Sequence, residues 1–262
     1  RAESVAARDD GIMTQERRTA LVTGASAGIG AAFAEHLAAH GFDLVLTARH
    51  LDTLQAVAER LQTTHGIDCR VIPADLVDPE SPRRIFFELA KDEIDVDVLI
   101  NNAGILMPTA ADPAEESANL EAMMDMHLHS PLKLIDALLP KLQASSQPMI
   151  VNMISMAAFA SVPGCEGYCT SKAALHAATQ GLRLKHPKMQ CVGVYPGPTA
   201  TDMTAGSTAP LADAMESAAT IVSGLSEGKT AIFPDEAALA VESLVGAGVA
   251  TLEQQFTTLL SD

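Results

Sequence analysis

Two hydrophobic rhythms alternate along the chain from Thr19 to Tyr195. Short runs dominated by Val, Ile, Leu and Thr read as buried strands, because β-branched and aliphatic residues cluster there between turn-forming residues. The predicted strands are Thr19–Thr23, Asp43–Ala48, Cys69–Pro73, Asp97–Asn101, Met149–Ser155 and Gln190–Tyr195. Between them lie Ala-rich stretches with helical spacing of apolar residues: Gly28–His40, Leu51–Thr64, Pro79–Asp92, Ala114–Gln143 and Gly167–Lys185. Strict alternation of this kind predicts right-handed βαβ units, and six such strands make an α/β fold of the Rossmann type, a doubly wound parallel sheet. Ligands in that fold collect where the carboxyl ends of the strands diverge.

At 262 residues and 48% hydrophobic composition, the chain is long enough to bury one full core. A single domain over residues 13–262 is therefore expected. The charged, aperiodic residues 1–12 read as a leader outside it. The stretch Gly197–Gly228, rich in Ala, Ser, Thr and Gly, reads as a mobile lid. A formal charge of −16 leaves no basic patch to exchange for counterions, so nucleic acid and anionic membranes are disfavoured as partners. With neither a secretory segment nor an 18-residue apolar run, a cytoplasmic location is the expectation. Cys69, Cys165, Cys169 and Cys191 lack paired Cys-x2-Cys spacing, so reduced thiols are expected, with Cys165 and Cys169 bracketing Tyr168. The eight histidines include no His-Glu-x2-His element, and no metal site is expected.

The chemistry concentrates in two places. Gly24-x3-Gly28-x-Gly30, between the first strand and the first helix, puts residues without Cβ where the backbone turns tightly and a pyrophosphate can approach a helix N-terminus. An ordinary strand-to-helix turn would also gather glycines. Tyr168 and Lys172 are four positions apart and share a helix face, although such pairs are also common on solvated surfaces. A phenol titrates near ~10, and bringing it to about 7 requires roughly 4 kcal/mol, which an ammonium and an oxidised nicotinamide together would provide. Ser155 ends the apolar run before them and is placed to hold a carbonyl oxygen as alkoxide character develops. Where a carboxylate at the end of the second strand would repel a 2′-phosphate, the chain has Ala48, Arg49 and His50. Arg49, helped by Ser26, is positioned for that phosphate, so NADP(H) is preferred with NAD(H) as the alternative; the competing reading is a solvated arginine at a helix start.

Gly24-x3-Gly28-x-Gly30, Asp75-Leu76, Asn101-Asn102-Ala103-Gly104, Ser155, Tyr168-x3-Lys172 and Pro196-Gly197 have the order and spacing of the short-chain dehydrogenase/reductase family, which the chain resembles from about Thr19 to Met203. The Tyr-x3-Lys spacing is similar to that of its ketoreductase branch. The resemblance implies that Ile29 belongs to the cofactor wall beside the glycines, with Asp75 and Leu76 near the adenine. Asn101, Asn102, Ala103 and Gly104 would line the adenosine side, Lys172 would also hold the nicotinamide ribose, and Pro196, Gly197, Thr199 and Thr201 would follow the carboxamide.

Two departures stand out. The family usually has an asparagine on its fourth long helix that helps hold a water linking the lysine to solvent; here Met126-His127-Leu128 occupies that stretch. Pro131 has no N–H to offer the His127 carbonyl, so the relay is expected to survive on that carbonyl, with the imidazole adding a titratable step; simple packing of His127 is the other reading. At the C-terminus, Ala231-Ile232-Phe233-Pro234-Asp235 and two helix-like stretches replace the family's strand and Asp-Gly-Gly segment, which weakens a tetramer and leaves a homodimer or homotetramer open.

These features together predict an NADP(H)-dependent oxidoreductase that interconverts a carbonyl and an alcohol, with Tyr168 as general acid/base. Its small-molecule substrate is expected to be apolar and not strongly anionic. Leu106, Met107, Met156 and Met203 are candidate walls, or else core, and no cation precedes Lys229 in the lid. The rival is a non-catalytic NADP(H)-binding sensor or regulatory protein, which would be expected to break the Ser-Tyr-Lys set.

Overall fold

The computed structural model describes residues 17–245. Seven parallel strands form one sheet in the order β3-β2-β1-β4-β5-β6-β7. They are β1 (Thr19–Thr23), β2 (Asp43–Thr47), β3 (Cys69–Val71), β4 (Val98–Asn101), β5 (Met149–Met153), β6 (Gln190–Val194) and β7 (Ala231–Ile232). The helices are α1 (Gly28–Ala39), α2 (Leu51–His65), α3 (Ser81–Lys91), α4 (Pro113–Met124), α5 (Ser130–Ala144), α6 (Glu166–Lys185), α7 (Ala214–Ser226) and α8 (Glu236–Val245).

The two-residue period of a strand sends neighbouring side chains to opposite faces. Ala20 and Val22 of β1 join Phe33 and Leu37 of α1, Leu61 of α2 and Ile221 of α7 on one side of the sheet. Leu21 joins Ile85 of α3, Leu138 of α5 and Leu182 of α6 on the other. Both faces are covered, which explains why the strands read as continuous apolar runs rather than alternating ones.

Register places the motifs. Val22 pairs with Leu46 on one side and Ile100 on the other, so the carboxyl ends of β1, β2 and β4 finish at one level. The strand order reverses at β1, where β4 rather than β3 becomes the next neighbour, and the cleft opens there.

The architecture differs from the sequence expectation in three places. A seventh strand exists: Ala231–Ile232 pairs with Gly193 and Val194. It is two residues long, too short for periodicity to reveal, and is fixed by Ile232 packing where Gly224 has no Cβ. The stretch read as one helix from Ala114 to Gln143 is α4 and α5 joined by a π-turn, Asp125–His129. In that turn the Ser130 amide bonds to the Asp125 carbonyl, five residues back. Pro131 explains the widening, since it has no N–H and its ring crowds the carbonyl of His127, four residues earlier. Finally, the 197–228 stretch is not uniform: from Ala214 it forms α7, whose Ala218, Ile221 and Leu225 are core. Only the segment before α7 overhangs the cleft. One of the two C-terminal helix-like stretches is α8; the other, like residues 1–12, lies outside the described residues.

Candidate active site

The cleft, ≈ 730 Å³ in volume, runs along the carboxyl ends of the strands. One end is built from residues whose small size is a steric requirement. Gly24 and Gly28 have φ of 65° and 55°, in the left-handed region. A Cβ on Gly30 would stand 2.3 Å from the Gly24 carbonyl and 2.4 Å from Asn102 Nδ2, and one on Gly28 would meet the Thr201 methyl at 2.8 Å. The Asn102 amide group donates to Thr23 O at 2.9 Å, while Thr23 Oγ1 accepts the backbone amides of Asn102 (2.8 Å) and Ala103 (3.0 Å). Thus β1 and β4 are tied at the turn, and no side chain caps the N-terminus of α1 at Ala27. Uncapped amides, two left-handed glycines and an exposed Arg49 on the same wall fit the pyrophosphate and 2′-phosphate of a dinucleotide.

The other end holds the candidate catalytic groups. Ser155 follows β5 in extended conformation, with its Oγ accepting the Ala157 amide at 3.1 Å. Tyr168 and Lys172 sit on α6, which packs so closely on α4 that a Cβ on Gly167 would be 2.7 Å from Met123 Cε. Lys172 is buried; its Nζ donates to the Met153 carbonyl at 2.8 Å and lies 5.6 Å from the centre of the Tyr168 ring. Burial pushes the phenol up to about 12, against a smaller lowering by its hydrogen bond with Ser155. Burial also pulls the Lys172 amine down to about 7. The protein groups favour a neutral phenol beside an amine that is easily deprotonated, because a low-dielectric site penalises both charges.

His127 lies beneath this pair in the π-turn. Its Nδ1 is 2.8 Å from Ser171 Oγ, its Nε2 accepts the Ile105 amide at 3.1 Å, and its ring meets that of Tyr168 edge-on at 5.4 Å between centroids. Burial, then the charge of Lys172, holds its pKa well below the ordinary histidine range. The titratable step expected of this imidazole is not what its surroundings favour.

Of the sequence-derived candidates, Gly24, Ser26, Gly28, Ile29, Gly30, Arg49, Leu76, Asn102, Ala103, Gly104, Ser155, Tyr168, Lys172, Pro196, Gly197, Thr199 and Thr201 all face the one cleft. Three candidates do not. Asp75 is exposed and accepts the Val77 amide at 3.1 Å. Asn101 turns inward to donate to Asn152 Oδ1 at 2.9 Å, and Asn152 in turn donates to Thr179 Oγ1 at 2.9 Å, a buried brace between β4, β5 and α6. His127 sits behind the wall. Leu106, Met156 and Met203 also line the cleft, whereas Met107 does not.

The sequence reading missed Asp235, whose carboxylate accepts the amides of Gly197 (2.8 Å) and Ala238 (2.9 Å) and so fixes the Pro-Gly turn to α8. An N-cap aspartate ahead of an Ala-rich run was its available signal. It also missed Val162 and Pro198 as wall residues, and for these no signal existed beyond apolarity. Cys165 lines the cleft too; burial and the nearby Glu166 raise its thiol, which disfavours the reactive thiolate. Among the described residues there is no group of three or more potential metal ligands and no helix long and apolar enough to cross a membrane.

Comparison with known proteins agrees with this geometry. The short chain dehydrogenase family profile matches residues 18–212. The chain is 33% identical over 235 residues to 1-deoxy-11-beta-hydroxypentalenate dehydrogenase of Streptomyces avermitilis, covering 87% of this chain and 81% of that protein. Among solved structures, a short-chain dehydrogenase from Sphingobium yanoikuyae in complex with NADPH superposes with a TM-score of 0.77 at 29% identity, covering 88% of this chain and 93% of the other. The bulky-bulky ketone specific alcohol dehydrogenase from Comamonas testosteroni gives 0.75 at 28% identity, covering 88% and 91%. With the glycine turn, the paired strands and the Ser-Tyr-Lys end of one cleft all in that register, the chain belongs to the short-chain dehydrogenase family of oxidoreductases.

Proposed function

We propose that the protein is an NADP(H)-dependent carbonyl reductase or alcohol dehydrogenase acting on an uncharged, largely apolar substrate. The observation that carries this reading is the convergence of Ser155, Tyr168 and Lys172 at one end of a cleft whose other end holds the glycine turn and Arg49. A bound nicotinamide dinucleotide supplies or accepts the hydride. Gly24, Gly28 and the first amides of α1 receive its pyrophosphate, and Arg49 with Ser26 selects a 2′-phosphate by charge-assisted hydrogen bonds.

At the reacting end, Ser155 donates a hydrogen bond to the substrate oxygen, and Tyr168 passes its hydroxyl proton to that oxygen during reduction. Burial raises the phenol and so favours its protonated form. Charge developing on the phenolate oxygen is met by Lys172 when its amine is protonated. Among the described residues the substrate side is made of Leu106, Val162, Pro198 and Met203, with no cation beyond Lys172 at the reacting centre, which supports a neutral apolar carbonyl compound over a keto acid. The solved alcohol dehydrogenase named for bulky-bulky ketones favours the same class, whereas the relative named for a hydroxypentalenate acts on a compound that also carries a carboxylate.

The test is NADPH oxidation by the wild-type protein across matched neutral ketones, aldehydes and keto acids, with NADPH affinity measured in parallel. Turnover of neutral ketones is expected. Tight NADPH binding without turnover of any carbonyl compound would instead support a cofactor-sensing protein.

A further inference from the structure

A single hydrogen bond fixes the protonation of His127. The Ile105 backbone N–H can only donate, so the Nε2 it reaches at 3.1 Å must carry a lone pair. The neutral ring then carries its hydrogen on Nδ1, which donates to Ser171 Oγ at 2.8 Å, and that hydroxyl donates onward to the backbone carbonyl of Tyr168 at 2.7 Å. An imidazolium would turn a second N–H against the Ile105 amide. Other charged or titratable groups do not favour it either. From α6, the ring faces Lys172, whose charge opposes protonation, and the edge of the Tyr168 phenol ring. On its own turn, Asp125 is committed to His129 at 2.8 Å, with both side chains about half exposed.

The ring is also closely confined. A Cβ on Gly104 would lie 3.2 Å from His127 Nε2, so the loop that lines the cofactor side of the cleft rests directly on the imidazole.

We propose that His127 is a positioning residue, a permanently neutral imidazole in its Nδ1–H form that locks the Gly104–Ile105 loop to the helix carrying Tyr168 and takes no part in proton transfer through its side chain. The ring fills the gap between the cofactor wall and the phenol, and its two hydrogen bonds set the spacing between them. The positioning role rests on the carbonyl-reductase reading; the tautomer does not.

Two measurements test it. In ¹⁵N-histidine-labelled protein, the ring assigned to residue 127 by its loss in His127→Gln is expected to show a protonated Nδ1 and a bare Nε2, unchanged from pH 5.5 to 8.5. An Nε2–H pattern, or titration in that window, overturns the proposal without reference to activity. In steady-state kinetics, His127→Phe keeps a ring but neither hydrogen bond, and its kcat should fall about 100-fold, the scale of a reacting group displaced by an ångström. His127→Gln keeps an acceptor for Ile105 and should recover about 10-fold of that, with a pH profile superimposable on wild type. Full activity in His127→Phe, or loss of a pH limb in His127→Gln, contradicts the assignment. If no carbonyl compound is turned over by wild type, the function reading fails while the ¹⁵N pattern still decides the tautomer.

Discussion

The two ends of the cleft are held by different kinds of force. At the glycine end, identity is dictated by sterics and by backbone hydrogen bonds: Gly30 has no room for a single carbon, and Thr23 and Asn102 bind main-chain atoms. At the substrate end, Leu106, Val162, Pro198 and Met203 need only be apolar and of suitable volume, and the overhanging segment is braced by local threonine contacts such as Thr204 Oγ1 to the Thr199 carbonyl at 2.5 Å. The contrast teaches that one end tolerates almost no substitution while the other can change its selectivity without disturbing the fold.

Breaking the rigid end should give the largest effect. Gly30→Ala forces a methyl onto the Gly24 carbonyl and the Asn102 amide, and is expected to cost about 3 kcal/mol of stability and to abolish NADPH binding. Denaturant unfolding and fluorescence titration read both. If Gly30→Ala binds NADPH like wild type, the two ends do not differ as described.

Arg49→Asp sharpens the comparison by changing chemistry without changing the turn. Removing a charge-assisted phosphate contact worth about 1.5–3 kcal/mol should lower the NADPH-to-NADH ratio of kcat/KM by about 10- to 100-fold. A wild-type ratio near unity would return Arg49 to a solvated surface role.

Lys172 gives a pH signature. Its folded pKa is depressed from 10.5 to about 7, so the folded state loses stability as pH falls from the unfolded value toward the folded one, and the loss levels off below about 7. Lys172→Met removes that dependence. The variant should gain on wild type by up to a few kcal/mol between pH 10 and pH 7, as followed by denaturant midpoints at each pH. Parallel pH dependences would show that the amine is not desolvated as the structure has it.

The smallest effect is expected at the tolerant end. Met203 is 41% exposed, and Met203→Ala should leave stability within about 0.5 kcal/mol while changing KM for a bulky ketone more than kcat. Loss of the fold would contradict the division.

The same contrast explains what the sequence could reveal. The glycine turn, Ser155 and Tyr168-x3-Lys172 were legible because each fixes residue type and spacing together, and the strands were legible because both faces of the sheet are buried. Asn101 was misplaced because an asparagine at a strand end looks alike whether it faces the cleft or, as here, a partner such as Asn152 on the next strand. β7 escaped because two residues have no period, and α7 escaped because its Ala-, Ser- and Gly-rich composition resembles a loop until packing on α1 gives it a buried face. The protonation preferences of Tyr168 and Lys172 depend on burial, which adjacency in sequence does not disclose.

The most direct measurement of the central claim is Tyr168→Phe, assayed for carbonyl reduction and for NADPH affinity on the same preparation. Losing the proton donor is expected to reduce kcat by about 1,000-fold while the dissociation constant for NADPH stays within about 3-fold of wild type. Unchanged turnover in this variant would contradict the assignment of Tyr168 as the acid.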